Sequence, residues 1–193
     1  FGLIYANRNH KVTLDLWSIN FKDRIEAESA QAILNLDPFG KNITRNENND
    51  LVGVTSTYFN EEDTKISGVD FKYELLKTNT KKLGLISAKV ESTTLYEFLT
   101  PDATDPAKLE NRVGRFNYDT HTYSLPKTKI NASLQFKKYE YEYQISARYL
   151  DGYKNYRTVS DLGQSLGYKN IVDSFLIFDF SVGSYIEFRG GKI

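Results

Sequence analysis

Alternating acidic and basic residues are the first candidates for chemistry in this sequence. Asp70, Lys72 and Glu74 are spaced two apart, and Lys89 and Glu91 repeat the pattern further along. Carboxylates beside amines are the usual material of general acid–base catalysis. Ion pairs between neighbouring strands explain the pattern more simply, because no nucleophile–base signature of the kind that enzymes use accompanies them. We therefore predict that the chain is not an enzyme.

Cysteine and histidine, the other residue types that commonly act as nucleophiles or metal ligands, are absent or scarce. Cysteine is absent, which excludes disulfides, thiolate metal sites and a cysteine nucleophile. Only His10 and His121 offer imidazole, so we expect no metal site and no cofactor. Lys and Arg number 25, as do Asp and Glu, and this balance does not indicate a nucleic-acid partner.

The elements that must position these residues have a period of two. Apolar and polar residues alternate in segment after segment, which is typical of strands with two different faces. These segments run to about 11–17 residues, whereas a tilted membrane-spanning strand needs about 9–11. The 14 Tyr and 12 Phe fit both strands and membrane interfaces. The alternating segments are 11–25, 66–76, 83–99, 128–138, 139–155 and 174–188.

The connections between these segments alternate in length. Short turns at 7–10, 78–82 and 137–140 exchange with long polar stretches at 23–65, 100–122 and 156–172. Short turns at one end and long loops at the other are typical of outer-membrane barrels. Within the first long stretch, residues 26–36 are rich in helix formers and precede Asp37 and Pro38, and residues 51–60 form a possible strand.

We predict an all-β chain: an antiparallel transmembrane β-barrel segment of about six or seven strands from a larger barrel. In isolation it would form an open curved sheet, with one short helix in a long extracellular loop.

Three runs of residues resemble the late barrel region of TonB-dependent receptors. They are LDLWSINFKDRIEAESAQAILN, NITRNENNDLVGVTSTYFN and KISGVDFKYELL. The resemblance implies a bacterial outer-membrane transporter with a barrel of about 22 strands and an N-terminal plug. It implies import of a scarce ligand, of the siderophore, vitamin or oligosaccharide class, driven through TonB. On this interpretation residues 1–193 are a partial barrel domain without signal peptide, TonB box, plug or terminal strands. TonB would then be contacted only through the missing N-terminal region.

In a barrel the apolar faces of the strands point to outer-membrane lipid and the polar faces to the lumen. Aromatic residues near both ends of the strands would form two girdles at the headgroup level. At the long-loop end these are Tyr96, Phe98, Tyr149 and Tyr153; at the short-turn end they are Tyr73, Phe136, Tyr141, Tyr185 and Phe188.

Ligand contacts are expected from the outer loops and from the lumen near their bases. Arginine suits an anionic group, and tyrosine suits a sugar face or a catechol ring. Taken singly, each candidate is equally well explained as a solvated loop residue. Trp17 either faces the lumen or packs under the loop helix. The candidates are Arg45, Tyr58, Asn60, Arg112, Arg115, Tyr118, His121 and Tyr123.

Three alternatives remain open from the sequence. A soluble carbohydrate-binding β-sandwich would cover Ile145, Phe178 and Phe180 with a second sheet, whereas the barrel leaves them in an exposed apolar band. A surface hydrolase would need carboxylates that converge in a pocket. A porin-like channel would have the same barrel without coupling to TonB.

Overall fold

The computed structural model describes residues 1–61, 63–102, 108–116, 124–155 and 161–184, apart from the side chains of Phe59, Glu61 and Phe116. The described part is dominated by β-strands. None of its helices is long and apolar enough to cross a membrane. The elements in chain order are β1 (Gly2–Ala6), β2 (His10–Phe21), β3 (Arg24–Ala27), α1 (Ala30–Leu36), β4 (Ile43–Arg45), β5 (Leu51–Val54), β6 (Tyr58–Glu61), β7 (Thr64–Thr80), β8 (Gly84–Pro101), β9 (Leu109–Asn111), β10 (Arg115–Phe116), β11 (Thr128–Lys138), β12 (Tyr141–Leu150), β13 (Tyr153–Asn155), α2 (Asp161–Ser165), β14 (Ile171–Val172) and β15 (Phe175–Ser184).

The main sheet is an antiparallel meander in the order β1-β2-β7-β8-β11-β12-β15, with β9 added beside the end of β8. Each long strand pairs with the next long strand in the sequence. The turns 7–9, 81–83 and 139–140 therefore lie at one end, and the connections 22–63, 102–127 and 151–174 lie at the other. The predicted open sheet of about six or seven strands is confirmed.

The turn between β7 and β8 depends on a glycine. Gly84 has a φ of +77°, and a Cβ atom there would lie against the backbone of Lys137 in the neighbouring strand. A side chain at this position would therefore be strained by its backbone angle and would clash with β11. Next to it, Tyr139 turns the chain between β11 and β12 with a φ of 57°.

One face of the main sheet is apolar, and no second sheet covers it among the residues that the structure describes. Phe178 and Phe180 on β15 are 67% and 66% exposed, and Ile145 on β12 is 38% exposed. A sandwich would have buried these three residues against a second sheet, so the β-sandwich alternative is wrong.

The long connections carry small elements of their own. In the first, β3 pairs with β6, β4 pairs with β5, and Ser29 caps α1 by accepting a hydrogen bond from the backbone N–H of Ala32. The predicted loop helix exists, but it begins at Ala30, because residues 24–27 pair as a strand instead. The strand expected at 51–60 is two strands, β5 and β6. In the other two connections, β10, β13 and β14 form a small sheet that joins them, and α2 is a helix that the sequence did not predict.

Candidate functional site

The apolar side chains of the seven strands lie in register across the main sheet. Residues that pair across antiparallel strands point to the same face, so each row forms a continuous apolar stripe. Ten residues of β12 rise about 33 Å, and at a tilt of about 45° they cover about 23 Å, close to the apolar band of membrane barrels. Two such rows are Val12–Tyr73–Val90–Ala132–Ala147–Phe178 and Leu75–Ala88–Leu134–Ile145–Phe180.

Aromatic residues collect at the short-turn end of this apolar face. Phe136 and Tyr143 stack with ring centroids 4.8 Å apart, and Tyr141 lies beside Tyr143. The hydroxyl of Tyr73 lies 2.9 Å from Nδ1 of His10. Phe136, Tyr141 and Tyr73 thus lie where a lower girdle was expected, while Tyr185 and Phe188 fall outside the described residues.

The opposite face carries polar side chains that form ion pairs and hydrogen bonds with one another. Lys72 Nζ lies 3.0 Å from Glu74 and 3.7 Å from Glu91, and Lys89 lies 2.7 Å from the same Glu91 carboxylate. Residues Gln135 and Gln144 form an amide hydrogen bond of 3.0 Å across β11 and β12. The alternating charges form an ion-pair network with two pairs along the strands, and the Lys72–Glu91 pair joins β7 to β8. Ion pairing is the simpler of the two explanations drawn from the sequence.

The polarity of the two faces reverses at the long-loop end. A bulge opposite Ser67 and Gly68 inserts one extra residue into β8, and such a bulge turns the rest of the strand over. The face that was polar carries the rows Trp17–Gly68–Leu95 and Ile19–Ile66–Phe98, and the face that was apolar carries Ser18–Ser67–Glu97. In β2 and β7 the sequence itself makes this change, because their pairing is regular, and the bulge keeps Glu97 and Phe98 of β8 in step with it.

Phe98 was predicted to belong to the exposed upper girdle, and that prediction is wrong. Its side chain is 6% exposed, and the guanidinium of Arg24 lies 5.5 Å from its ring centroid. The bulge explains the difference, since strict alternation along β8 would have left Phe98 on the outer face with Tyr96. Tyr96 itself is 53% exposed.

Trp17 packs against a glycine on the polar face. A Cβ on Gly68 would lie 2.8 Å from Cζ2 of Trp17 and 2.7 Å from the carbonyl oxygen of Thr94. Only glycine leaves room for the indole there. Trp17 Nε1 is buried and has no hydrogen-bond partner within the part of the chain that the structure describes.

Beyond the reversal, the outer face carries an ion pair. Lys65 Nζ lies 2.5 Å from the Glu97 carboxylate, which also accepts a hydrogen bond of 3.0 Å from Ser67. The Lys65 ammonium, with help from the Ser67 hydroxyl, lowers the pKa of Glu97 below its ordinary value. A charged pair facing outward lies above the apolar band, because hydrocarbon does not solvate it.

A shallow open depression of about 330 Å³ lies between β8 and β11, close to the reversal. It offers two ammonium groups, Lys127 and Lys129, together with the amide of Asn131, while the Thr93 hydroxyl at its edge already donates to Asp70 at 2.6 Å. Such a set can bind an anionic, oxygen-rich group. The residues that line it are Glu91, Ser92, Thr93, Leu95, Pro126, Lys127, Lys129 and Asn131.

The predicted loop arginines bind their own loops. Arg45 donates to the carbonyl oxygens of Asn49 and Pro38 at 2.9 and 3.2 Å and lies over the ring of Phe39. The contact with Asn49 closes the turn between β4 and β5, and the other two hold that turn against the segment before β4.

Arg112 is fully buried at the base of the second connection. Its guanidinium donates to the Thr100 hydroxyl at 3.0 Å and to the Pro101 carbonyl at 3.3 Å, and it pairs with Glu110 at 2.9 Å. Arg115 pairs with the same carboxylate at 2.6 Å. Both arginines hold this connection against the end of β8.

The other predicted contacts are dispersed. Tyr58 is 81% exposed and Asn60 is also exposed, both on β6 of the first connection. Tyr118, His121 and Tyr123 lie outside the described residues. Sequence reasoning did not single out Lys127 or the depression, although the alternation in 128–138 already assigned Lys129 and Asn131 to the polar face.

In the described ranges, no group of three or more His, Asp or Glu side chains is arranged to hold a metal ion. The family described as TonB dependent receptor-like, beta-barrel matches residues 1–191 of the chain. No curated protein and no solved structure matches it.

Proposed function

The chain belongs to the family of TonB-dependent receptor β-barrels, and we propose that it forms part of the wall of a bacterial outer-membrane receptor that binds and imports a scarce ligand. The observation that carries the proposal is the apolar band, which runs in register across the long strands with a polar network behind it. Lipid on one side and a wet lumen on the other require this arrangement.

The wall must continue beyond this sheet. Among the described residues, β1 pairs only with β2, and β15 pairs only with β12. Unpaired backbone N–H and C=O groups are costly in hydrocarbon, so further strands have to complete both edges. We therefore propose that residues 1–193 are a partial barrel domain, and that the plug and the TonB-coupling segment belong to other parts of the receptor.

Within the described part of the wall, the depression is our candidate place for a ligand. Lys127 and Lys129 favour an anionic group, and the apolar rows through Trp17 and Phe98 lie at the neighbouring end of the strands. Among siderophore, vitamin and oligosaccharide ligands, this combination favours an anionic siderophore-like complex. Tyr58 and Asn60 are exposed on the loop above and are proposed as outer contacts.

The loop arginines have a different role in this proposal. Arg45, Arg112 and Arg115 keep the loops folded, because their guanidinium groups already bind loop carbonyls and Glu110. Tyr118, His121 and Tyr123, in the same connection as Arg112, are also proposed as ligand contacts.

Uptake by cells tests the proposed function. Cells that express the full-length receptor are given radiolabelled ferric siderophore, cobalamin or oligosaccharide, with and without a protonophore. We expect one class to accumulate in a protonophore-sensitive manner. Uptake that ignores the protonophore would instead support the porin-like channel, and uptake of none of the three would contradict the proposal.

Substitutions in the depression test the site. The paired change Lys127→Gln and Lys129→Gln should weaken binding of an anionic ligand by at least about tenfold, since even one lost charge-assisted hydrogen bond contributes about 1.5–3 kcal/mol. Lys108→Gln, in the same connection but outside the depression, is the matched control. Equal affinity in all three proteins would exclude the depression as the binding site.

A further inference from the structure

Positive charge is concentrated at the short-turn end of the sheet. Residues 7–11, 77–83 and 137–140 contain seven Lys or Arg residues and a single carboxylate, Glu140. The first long connection, 22–63, has the opposite balance, with nine carboxylates against four cations. The net charge of the chain is zero, but the short turns are positive and the first long connection is negative. The seven cations are Arg8, Lys11, Lys77, Lys81, Lys82, Lys137 and Lys138.

Two neighbouring turns bring three of these lysines into one cluster. Lys138 Nζ donates to the backbone carbonyl of Lys82 at 2.8 Å, which joins the turn after β7 to the end of β11. The same ammonium lies 5.6 Å from the ring centroid of Tyr139, which is 81% exposed. Lys81, Lys82 and Lys138 are all exposed. We call Lys81, Lys82, Lys138 and Tyr139 the turn cluster.

The turn cluster differs from the cations of the polar face. Lys72, Lys89 and Arg148 each have a carboxylate partner within 4 Å. In contrast, none of the lysines of the turn cluster forms an ion pair with any residue that the structure describes. Positive charge without local compensation attracts an external anion.

The turn cluster also adjoins the apolar band. Lys138 is two residues from Phe136 on the same strand and pairs with Tyr141, so its Cβ points to the lipid-side face. Leu83, beside Lys82, is 55% exposed. This arrangement matches a lipid molecule. The acyl chains would lie against the aromatic and aliphatic side chains of the apolar band, and the phosphate would lie at the ammonium groups of the turn cluster.

We propose that the turn cluster binds the headgroup of an anionic phospholipid in the inner leaflet of the outer membrane, an inference that rests on the proposed function. Charge complementarity and continuity with the apolar band both favour a lipid over a soluble anion. Clusters of basic residues next to a membrane surface are retained by anionic headgroups in this way.

Native mass spectrometry of the full-length receptor tests this inference. The protein in detergent is titrated with phosphatidylglycerol or with phosphatidylethanolamine, and the lipid-bound fraction is counted. We expect the native receptor to retain phosphatidylglycerol preferentially. The triple change Lys81→Gln, Lys82→Gln and Lys138→Gln should reduce that preference by about tenfold, since each lysine contributes to the attraction. The control triple Lys22→Gln, Lys41→Gln and Lys169→Gln removes the same charge from exposed lysines at the long-loop end and should keep the preference.

Equal retention of both lipids by the native receptor would overturn the inference. So would an equal loss of the phosphatidylglycerol preference in the control triple. Displacement of phosphatidylglycerol by millimolar inorganic phosphate would also overturn it, because it would indicate a site for a soluble anion. Failure of the proposed function would give a different experimental result. It would abolish protonophore-sensitive uptake in the native receptor, whereas failure of the lipid site alone would leave uptake intact.

Discussion

Apolar and polar residues alternate at both ends of the main sheet, but the apolar residues lie on the outer face at one end and on the inner face at the other. At the short-turn end, the outer face remains apolar and aromatic down to Phe136 and Tyr141, and the cations lie in the turns. At the long-loop end, the outer face becomes polar at Ser67 and Glu97, and the inner face becomes apolar at Ile66 and Phe98. One bulge in β8 accompanies the change.

The difference follows from what each end meets. The short turns leave the membrane at once, so the outer face needs apolar residues only until the chain turns. β7 and β8, with 17 and 18 residues, continue past the bilayer. There the outer face meets water, and the inner face packs against the loops that fold over it. The hydrophobic surface therefore moves from the lipid side to the loop side within a single strand.

The largest effect is expected from a charge in the middle of the apolar band. Ile145→Lys should destabilise the full-length receptor by about 2–4 kcal/mol, because the ammonium would lie in hydrocarbon. Ser146→Lys, one residue along and on the opposite face, should be tolerated. Urea-dependent folding into phosphatidylcholine vesicles measures both. Similar losses in the two variants would show that the face assignment is wrong.

The next effect concerns Arg112, for which the short-turn end has no counterpart. Arg112→Met removes charge-assisted hydrogen bonds to Thr100, Pro101 and Glu110 and should destabilise the second connection by about 1.5–3 kcal/mol. Hydrogen exchange and limited proteolysis of residues 102–127 should detect local opening. Arg8→Met, an exposed arginine in a short turn, is the control and should change neither measurement.

A smaller effect tests the reversal of polarity itself. Ile66→Lys should cost about 1–2 kcal/mol, because a half-buried apolar side chain on the inner face is replaced by a charge. Ser67→Lys, on the outer face beside Glu97, should change stability by less than about 0.5 kcal/mol. On the short-turn side of the bulge, the residues at which a charge is damaging face outward, as Ile145 does. If Ser67→Lys were the more damaging change, the two faces would not reverse at this level.

The smallest effect is that of the outer ion pair. Glu97→Gln should lower stability at neutral pH by about 0.2–1 kcal/mol, as for other exposed pairs. Because the folded-state pKa of Glu97 is lowered, this contribution is present above the unfolded Glu pKa of about 4.3 and is lost as pH falls through the lower folded value. Folding titrations at pH 7 and pH 3 measure it, with Glu47→Gln as a solvated control. A difference that persists at pH 3 would argue against the pair.

Much of the fold was predictable because its causes are local. Alternation at 128–138 assigns Leu134 to one face and Gln135 to the other without knowledge of any partner strand. The order of short and long connections then requires successive hairpins. The candidate site was less accessible to sequence reasoning. Arg45 and Arg112 have the side chains that bind anions, but whether a guanidinium faces a ligand or its own loop depends on how that loop folds around it.

The sequence by itself determined the period of two, the meander and the uncovered apolar band, since each follows from side-chain alternation and connection length. Only the tertiary structure determined where that alternation breaks. The bulge at the end of β8 depends on its pairing with β7, and this pairing turns Phe98 inward and Glu97 outward, beside Lys65. The same interstrand contacts bring Thr93 beside Lys129 in the depression and Lys82 beside Lys138 in the turn cluster, because they join residues that no local pattern connects.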